Sequence, residues 1–222
     1  MNNYKKAFFA SIPVLMGYIV LGIAFGMLLV SKGYPWYYAL LMSVLIYAGS
    51  MQFVAINLLT SGASLISSAF MTLFINARHF VYGLSMLEKF RDSGKYKPYL
   101  IFSLTDETYS LLVSDDHDDH NYMFFVSLFN HCYWVLGSVI GGILGSLITI
   151  NTKGLDFAMT ALFIVIVVEQ FLSTDKHIYS YIGFVVSILS LVIFGSTAFI
   201  IPSLIGILVS LIVLYRRGKS YE

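Results

Sequence analysis

The sequence predicts an all-α integral membrane protein with six to eight membrane segments. Of its 222 residues, 58% are hydrophobic and only 11% are charged, with a mean hydropathy of +0.81. An ordinary soluble domain carries about 25% charged residues. The apolar residues form eight runs, most of them close to the roughly 20 residues that a spanning helix needs. Polar residues interrupt several runs, which is typical of transporters built from broken or re-entrant helices.

The same composition excludes several other classes of protein. The net charge is +1, so nothing favours binding to nucleic acid. Cys132 is the sole cysteine, which excludes an internal disulfide and a cluster of thiolate metal ligands. Lys5 and Lys6 precede the first apolar run as in a secretory signal, but that run is too long and lacks a cleavage site. We therefore expect an uncleaved first span, and no cofactor is predicted.

The first two runs carry small residues at helical spacing. The eight runs cover residues 8–30, 36–59, 65–87, 99–113, 122–150, 155–171, 178–194 and 198–215. In run 1, Gly22 and Gly26 are four residues apart, which indicates close helix packing. Pro13 in the same run leaves open an unwound, ligand-contacting segment. In run 2, the cluster Ala48-Gly49-Ser50 interrupts an apolar helix shortly before Gln52.

Runs 3 and 4 place opposite charges inside apolar sequence. Run 3 contains Asn76, Arg78 and His79, and run 4 contains Asp106 and Glu107. An ionised Arg in hydrocarbon costs roughly several kcal/mol, so it normally faces a bundle interior, a water-filled cavity or an acidic partner. Arg78 is therefore expected to pair with Asp106 or Glu107. Adjacent residues on a helix point about 100° apart, so the acid that does not pair is expected to titrate.

Histidines and one further acid add weaker candidates. His79 either relays protons or hydrogen-bonds across helices, and His131 in run 5 carries the same signal more weakly. Glu169 ends run 6 and belongs either to the polar path or to a solvated helix end. The predicted substrate and proton pathway therefore consists of Gly22, Gly49, Ser50, Gln52, Asn76, Arg78, His79, Asp106, Glu107 and Glu169.

The most polar stretch of the chain is Asp-Asp-His-Asp-Asp-His at residues 115–120. Its side chains are metal-ligand types, but they lack a recognised ligand spacing, so a solvated loop is expected and no metal site is predicted. The chain has no P-loop, HExxH or GxSxG pattern, and no enzyme is predicted.

Two weak internal matches suggest that the chain is a single transport domain, residues 1–222, made of related halves 8–113 and 122–215. The pattern YIVLGxxxG that ends at Gly26 recurs as YWVLGxxxG ending at Gly141. The dipeptide Gln52-Phe53 recurs as Gln170-Phe171, at nearly the same distance downstream. Such order is typical of repeat architectures.

The charges bear on topology, because Lys and Arg favour the cytoplasmic side. If all eight runs cross the membrane, the positive residues near span ends divide six against six. If runs 2 and 6 are re-entrant, eleven lie on the cytoplasmic side with both termini and only Lys32 lies outside. This second arrangement places the basic loop 88–98 and the loop 151–154 inside and the acidic loop 114–121 outside. It also makes the two halves inverted repeats.

Several motifs together resemble one known family. They are Gly17-Tyr18, GIAFG at 22–26, AGSMQF at 48–53, NARH at 76–79, YGLS at 82–85, LTDE at 104–107 and GLDFAMTALF at 154–163. Over residues 8–172 the sequence resembles the AzlC family, the large subunits of bacterial two-component branched-chain amino acid exporters. The resemblance implies export of leucine, isoleucine and valine, with methionine or toxic analogues as further candidates. It also implies a small AzlD-type membrane partner, the proton gradient as driving force, and the bacterial plasma membrane as location.

The residues fit this implication, although two alternatives stay open. A zwitterionic amino acid needs a cation or helix N-terminus for its carboxylate, here Arg78 or the amides of 48–50. Its ammonium needs an acceptor, here Asp106 or Glu107. One alternative is a non-transporting assembly or signalling component in which the charges only hold helices together. The other is a transporter of another small solute or of a metal ion bound by residues 115–120.

Overall fold

The computed structural model describes residues 3–114, 119–148, 155–172 and 177–218, which form helices and turns without any strand. Three of the described helices are long and apolar enough to cross a membrane, namely Asn3–Ser31, His120–Leu147 and Ile178–Gly195. The predicted all-α membrane fold is confirmed. The chain divides into two compact units, Met1–Leu162 and Phe163–Glu222.

Runs 2, 3 and 4 each form two helices rather than one. The helices of the first unit are α1 (Asn3–Ser31), α2 (Trp36–Leu45), α3 (Gly49–Thr60), α4 (Leu65–Ile75), α5 (Ala77–Ser85), α6 (Lys97–Phe102), α7 (Asp106–Val113) and α8 (His120–Leu147), with a 3₁₀ turn at Gly94–Tyr96. They are followed by α9 (Leu155–Leu172), α10 (Ile178–Ala198) and α11 (Ile200–Gly218).

Helices α1 and α8 form a tightly packed parallel pair at the centre of the first unit. At their starts, the side-chain amide of Asn3 donates to Asp119 at 2.6 Å. Further along, Gly26 and Gly141 bring the two backbones together, so that a Cβ on either would collide with the backbone of the other helix. The close-packing interpretation of run 1 is confirmed, and α1 stays helical through Pro13.

Helix α2 begins at the face where α1 and α8 end. Trp36 packs against Gly142, near the end of α8. About three turns later, the ring of Tyr47 stacks on the imidazole of His131 with centroids 4.2 Å apart. Since His131 precedes Gly142 in α8, α2 runs antiparallel to α8 and stops partway along it. We call the face that holds Asn3 the N-terminal face and the face where α2 begins the opposite face.

Helix α3 then turns back toward the opposite face. Its Gln52 donates to Ser43 of α2 at 3.2 Å, two residues before the end of α2. The ring of Phe53, the next residue, packs on Phe25, which lies six residues before the end of α1 at Ser31 and therefore toward the opposite face. Helices α2 and α3 with residues 46–48 at the tip are therefore a re-entrant hairpin, the first hairpin. These contacts agree with the prediction that run 2 dips in and returns, whereas run 6, for which the same was predicted, forms one unbroken helix, Leu155–Leu172.

Helices α4 and α5 form a broken spanning segment that ends at the N-terminal face. Asn76 joins the two helices. After α5, Met86 and Phe90 pack in one buried cluster with Ala7 of α1 and Tyr122 of α8. Residues 86–96 therefore lie on the same face as the N-terminus.

Helices α6 and α7 form a second re-entrant hairpin, with residues 103–105 at its tip. The hairpin begins at the N-terminal face, where Tyr96 donates to Asn121 at 3.0 Å. It also returns there, because Lys89 Nζ donates to the carbonyl of Leu112 at 2.7 Å. The expectation that run 4 crosses the membrane is wrong. The reason is local: Thr105 accepts a hydrogen bond from the Thr108 amide and starts a new helix in mid-run.

This hairpin also changes the predicted position of the acidic stretch. Ser93 of the basic loop lies 3.2 Å from His120 Nδ1, and Asp119 contacts Asn3. The end of the stretch thus lies on the N-terminal face with loop 88–98, and its predicted placement on the other side is wrong. Residues 115–118 themselves lie outside the described part of the chain.

The distribution of positive charge in the first unit still favours one orientation. Among the described residues of this unit that lie outside the helix breaks, the N-terminal face carries Lys5, Lys6, Lys89, Arg91, Lys95 and Lys97, against Lys32 near the opposite face. The positive-inside rule therefore predicts a cytoplasmic N-terminal face. Helix α8 ends at the opposite face, where Gly145 packs on Met27, although the following loop 151–154 was predicted to be cytoplasmic. That loop lies outside the described residues.

In the second unit, α10 and α11 pack against each other. Gly206 makes the contact close, since a Cβ there would lie 2.8 Å from Val186. Gly195 adopts φ +72°, which interrupts the helical geometry of α10. The proposed repeat halves 8–113 and 122–215 remain a prediction.

Candidate functional site

The tips of the two hairpins meet at Arg78. Its Nη1 lies 2.6 Å from Asp106 Oδ2, and its Nη2 donates to Ser50 Oγ at 2.7 Å. Ser50 is the second residue of α3, Arg78 the second of α5 and Asp106 the first of α7. One guanidinium therefore joins the N-terminal ends of three half-helices.

This arrangement is electrostatically asymmetric. The positive N-terminal end of α7 stabilises the Asp106 carboxylate, whereas the corresponding end of α5 disfavours the Arg78 cation unless it is paired. The two side chains are 24% and 27% exposed, so water screens the pair only in part. The sequence left Arg78 a choice between two acids, and the structure pairs it with Asp106.

Glu107 faces another set of groups. Its Oε2 accepts a hydrogen bond from the buried Tyr18 hydroxyl of α1 at 2.6 Å. The same hydroxyl lies 2.8 Å from Thr105 Oγ1 at the tip of the second hairpin. From there the chain of hydrogen bonds continues through Thr108 to Asn130 of α8. The predicted divergence of Asp106 and Glu107 is confirmed.

A cavity of about 490 Å³ leads from the N-terminal face to the hairpin tips. Apolar side chains of α5, the loop after it and α6 dominate its walls, among them Leu84, Leu87, Phe90, Ile101 and Phe102. Its polar lining comes from Tyr47, Asn76, His79 and Lys97. Small-molecule sites typically measure about 300–1,000 Å³ and combine apolar walls with a few polar groups, so the cavity has the size and character of a ligand site.

The inner end of this cavity holds unused hydrogen-bonding capacity. Asn76 lines the cavity, and its Oδ1 is buried and has no hydrogen-bond partner among the described residues. His79 Nδ1 lies 3.3 Å from the Asn76 carbonyl, so it contacts the cap of its own helix rather than another helix. A buried acceptor without a partner is costly, and a bound polar ligand could satisfy it.

Three other predicted pathway residues pack against neighbouring helices and do not line the cavity. Gln52 is fully buried, with its Nε2 bonded to Ser43 and its Oε1 accepting from Trp134 Nε1 at 2.8 Å. Gly49 packs against the indole ring of Trp134, and a Cβ added at residue 49 would lie 3.2 Å from that ring. Gly22 lies in the contact between α1 and α8. Gln52 and Gly49 thus pack at the tip of the first hairpin and Gly22 packs between α1 and α8, and none of the three lines the cavity. Glu169 lies in α9, and its side chain is outside the described residues.

Aromatic residues with polar ends were not predicted as part of the site. Tyr18 binds Glu107, and Tyr47 lines the cavity in a left-handed conformation with φ +44°. The weakly predicted His131 holds Tyr47 by stacking, while its Nε2 donates to the Ser43 carbonyl at 3.1 Å and its Nδ1 lies 3.0 Å from Tyr99 OH. The sequence does carry a signal for these residues: a Tyr or His side chain that is buried usually requires a polar partner, so each one within an apolar run indicates a hydrogen bond.

The part of the chain that the structure describes contains no group of three or more His, Cys, Asp or Glu that could hold a metal ion. The loop at residues 115–120 is only partly covered by this statement, because residues 115–118 lie outside the described ranges.

Comparisons with known proteins point to one family. The family model described as AzlC protein matches residues 13–148. The branched-chain amino acid transport protein AzlC of Bacillus subtilis (strain 168) is 47% identical over 223 residues, covering 99% of this chain and 88% of that protein. An uncharacterized membrane protein of Helicobacter pylori (strain ATCC 700392 / 26695) is 41% identical, covering 98% and 96%.

A more distant relative is the inner membrane protein YgaZ of Escherichia coli (strain K12), 32% identical over 143 residues, which cover 61% of this chain and 58% of that protein. No solved structure matches the chain. The match to the family model and the extensive identity to its relatives agree with the motifs at the helix breaks. This chain is a membrane protein that belongs to the AzlC family.

Proposed function

We propose that this chain is the large subunit of an exporter that moves branched-chain amino acids out of the bacterial cytoplasm through the cavity described above. One observation carries the proposal: an apolar cavity of about 490 Å³ leads from the N-terminal face to a polar junction between two re-entrant hairpins. Helix breaks that meet within the membrane are a common way to build a transporter site. The name of the Bacillus subtilis relative supports the choice of cargo.

The cavity suits an aliphatic amino acid. Leu84, Leu87 and Ile101 offer apolar surface to a branched side chain, and Asn76 Oδ1 can accept from an ammonium group. Lys97, where α6 begins at the N-terminal face, is a cation in the lining that can attract the carboxylate of an amino acid entering the cavity. Apolar walls separate substrates that differ by one methylene only weakly, so leucine, isoleucine and valine, with methionine or related analogues, are expected to share the site.

This assignment changes the role first expected for Arg78. Its two terminal nitrogens are already bonded to Asp106 and Ser50, and it does not line the cavity. In our proposal Arg78 therefore fixes the junction of the hairpin tips, and the substrate carboxylate binds elsewhere in the cavity. Opening and closing of this junction would then change access to the site.

The direction of transport rests on orientation. The N-terminal face carries most of the positive charge of the first unit, which supports a cytoplasmic position for it and for the N-terminus. For the C-terminus, the same rule applied to Arg216, Arg217 and Lys219 in the sequence supports a cytoplasmic position as well. The cavity extends from that face, so this conformation would load substrate from the cytoplasm. The proton gradient is the proposed driving force, because ionisable groups lie at the junction.

A small AzlD-type membrane subunit is the proposed partner. Helix α4 supports a contact of this kind, because none of its residues is buried, and Leu65, Ile66 and Leu73 are exposed. Such an apolar surface fits lipid or a partner helix. Efflux measured with and without the partner tests whether the partner is required.

The proposal is tested by efflux of preloaded labelled leucine, isoleucine and valine from cells that express this chain with or without the small partner. Efflux that requires the partner and is abolished by a proton uncoupler is the expected result. Lysine is the control substrate, because the apolar walls offer its charged side chain no counterion. Absence of efflux despite confirmed membrane expression of both subunits would contradict the proposal.

A further inference from the structure

The two acids at the start of α7 have different partners. Asp106 forms an ion pair with Arg78 at 2.6 Å. Glu107 instead accepts a hydrogen bond from Tyr18 at 2.6 Å, and within the described residues it forms no ion pair with a Lys, Arg or His side chain. Asp106 can be protonated only by disrupting an ion pair. Protonation of Glu107 disrupts no such ion pair among the described residues.

The hydrogen bonds around Glu107 accommodate both protonation states. When Glu107 is ionised, the Tyr18 hydroxyl donates to it. When Glu107 carries a proton, its own O–H can donate to the Tyr18 oxygen, and the Tyr18 hydroxyl can turn to Thr105 Oγ1, 2.8 Å away. Either atom of the Tyr18–Thr105 contact can be the donor, so the change leaves no buried hydroxyl without a partner.

The charge balance at the junction favours one additional proton. Arg78 contributes one positive charge, whereas Asp106 and Glu107 contribute two negative charges, which leaves one negative charge uncompensated. Uncompensated charge is expensive inside a membrane protein, and proton uptake removes it. The titratable and charged groups that face Glu107 from the neighbouring elements are Tyr18 of α1, Tyr47 of the first hairpin, Arg78 and His79 of α5, and Asp106 of α7.

We propose that Glu107 binds the proton that is exchanged for substrate, while Asp106 stays ionised and holds the hairpin junction. An O–H bond forms on Glu107 when a proton arrives from the opposite face. It breaks when the proton is released toward the N-terminal face, and the amino acid moves the other way. No bond to the substrate forms and no group is oxidised or reduced. This inference deepens the proposed export function and rests on it for the identity of the cargo.

The first test needs no substrate. Infrared difference spectra of the purified chain in membranes, recorded across the pH range in which it transports, report the carbonyl stretch of a protonated carboxylic acid. We expect a titrating band that disappears in Glu107→Gln and persists in Asp106→Asn, with exposed Glu88→Gln as the control. A band that survives in Glu107→Gln, or no titrating band in the wild-type protein, would overturn the assignment.

The second test separates coupling from cargo. In proteoliposomes containing this chain and its partner, counterflow of labelled leucine requires binding and access to both sides but no net proton movement. We expect Glu107→Gln to lose leucine movement driven by a pH gradient, whereas the exposed control Glu88→Gln keeps both counterflow and gradient-driven movement within about threefold of wild type. Gradient-driven movement that survives in Glu107→Gln refutes the inference. If the wild-type protein itself shows no leucine counterflow, the proposed function fails, and the infrared result still decides the role of Glu107.

Discussion

The two re-entrant hairpins of the first unit enter from opposite faces and meet at Arg78, but their tips are built differently. The first hairpin is held by a buried network in which Trp134 donates to Gln52, Gln52 donates to Ser43, Ser43 donates to Ser138, and Ser138 donates to the Trp134 carbonyl. The second hairpin carries Asp106 and Glu107 in the first turn of α7, next to a partly water-accessible cavity.

The difference indicates a division of labour. A buried polar network whose members are satisfied rigidifies its surroundings, so the first hairpin is suited to be a fixed support. In the described part of the chain, the tip of the second hairpin is held by the ion pair of Asp106 with Arg78 and by hydroxyl contacts to α1 and α8. We infer that it is the more mobile of the two and that it carries the ionisable groups of the transport cycle.

The largest expected effect is on the ion pair that joins the tips. Arg78→Gln or Asp106→Asn leaves one charge unpaired at the junction, at a cost of roughly 1–3 kcal/mol, between the values for exposed and buried pairs. We expect leucine efflux to fall about 100-fold. This corresponds to a loss of about 2.7 kcal/mol of stabilisation by the Arg78–Asp106 pair in the rate-limiting step of transport. Efflux per membrane-inserted protein is the measurement.

The double variant Arg78→Gln/Asp106→Asn then separates folding from transport, because it removes both charges together. Recovered thermal stability without recovered efflux indicates a role in transport. Recovery of both would show that the pair only holds the hairpins together.

The second prediction concerns the supporting hairpin. Gln52→Leu leaves Trp134 Nε1 without an acceptor and should lower the free energy of unfolding by about 1–3 kcal/mol, while the folded fraction keeps its transport rate. Thermal denaturation of detergent-purified protein and efflux per folded molecule measure the two quantities. Thr72→Val is the matched control, because Thr72 is exposed and bonds only within its own helix. Loss of efflux without loss of stability would place Gln52 in the transport path instead.

The third prediction tests the cavity wall of α5. Gly83 lines the cavity, and a Cβ there meets no atom within 4 Å. Gly83→Phe should fill part of the cavity and reduce leucine affinity, whereas Gly83→Ala should leave transport intact and stabilise the helix by up to about 1 kcal/mol. Gly17→Phe is the control, since Gly17 also faces open space but lies outside the lining. Equal leucine affinity in the Phe and Ala variants at position 83 would argue against a substrate in this cavity.

The smallest expected effect is at the start of α8. Partial burial opposes ionisation of Asp119, but hydrogen bonds from the Tyr122 amide, the Asn3 side chain and the Asn121 amide lower the pKa of its carboxyl. Because the folded pKa is lowered, the stabilisation is present above the ordinary pKa of about 3.9 and is lost as pH falls through the folded value. Asp119→Ala should therefore cost about 1 kcal/mol near neutral pH.

Thermal unfolding at several pH values measures this effect, with the exposed Asp92→Ala as control. The difference between Asp119→Ala and the wild-type protein should shrink in acid. A difference that grows in acid would be inconsistent with an ionised cap.

The predictability of the fold differs between these regions for physical reasons. Long apolar runs and the high cost of an isolated Arg78 determine the membrane class and the need for an acidic partner, so both could be predicted from the sequence. The return of the second hairpin could not be read from hydropathy, because residues 99–113 look like one short span. The signal was present in Thr105 followed by Asp106 and Glu107, a helix start within an apolar run.

The cavity and the role of Tyr18 were beyond sequence reasoning. Both depend on which faces of α1, α5 and α6 come together, and apolar periodicity does not determine that arrangement. Gln52 was predicted to belong to the pathway from its position in the motif AGSMQF at residues 48–53. In this fold the side-chain oxygen of Gln52 accepts a hydrogen bond from Trp134, which lies 82 residues further along the chain.

The central claim is that the cavity between the N-terminal face and the hairpin tips binds the exported amino acid. Replacing the sole cysteine by Cys132→Ala and introducing Ala48→Cys at the inner end of the cavity places one thiol there. A membrane-impermeant thiol reagent is applied to inside-out and right-side-out vesicles, with and without leucine. Our account predicts modification from the cytoplasmic side that leucine slows and lysine does not. Modification that saturating leucine leaves unchanged, or that occurs only from the outside, would contradict it.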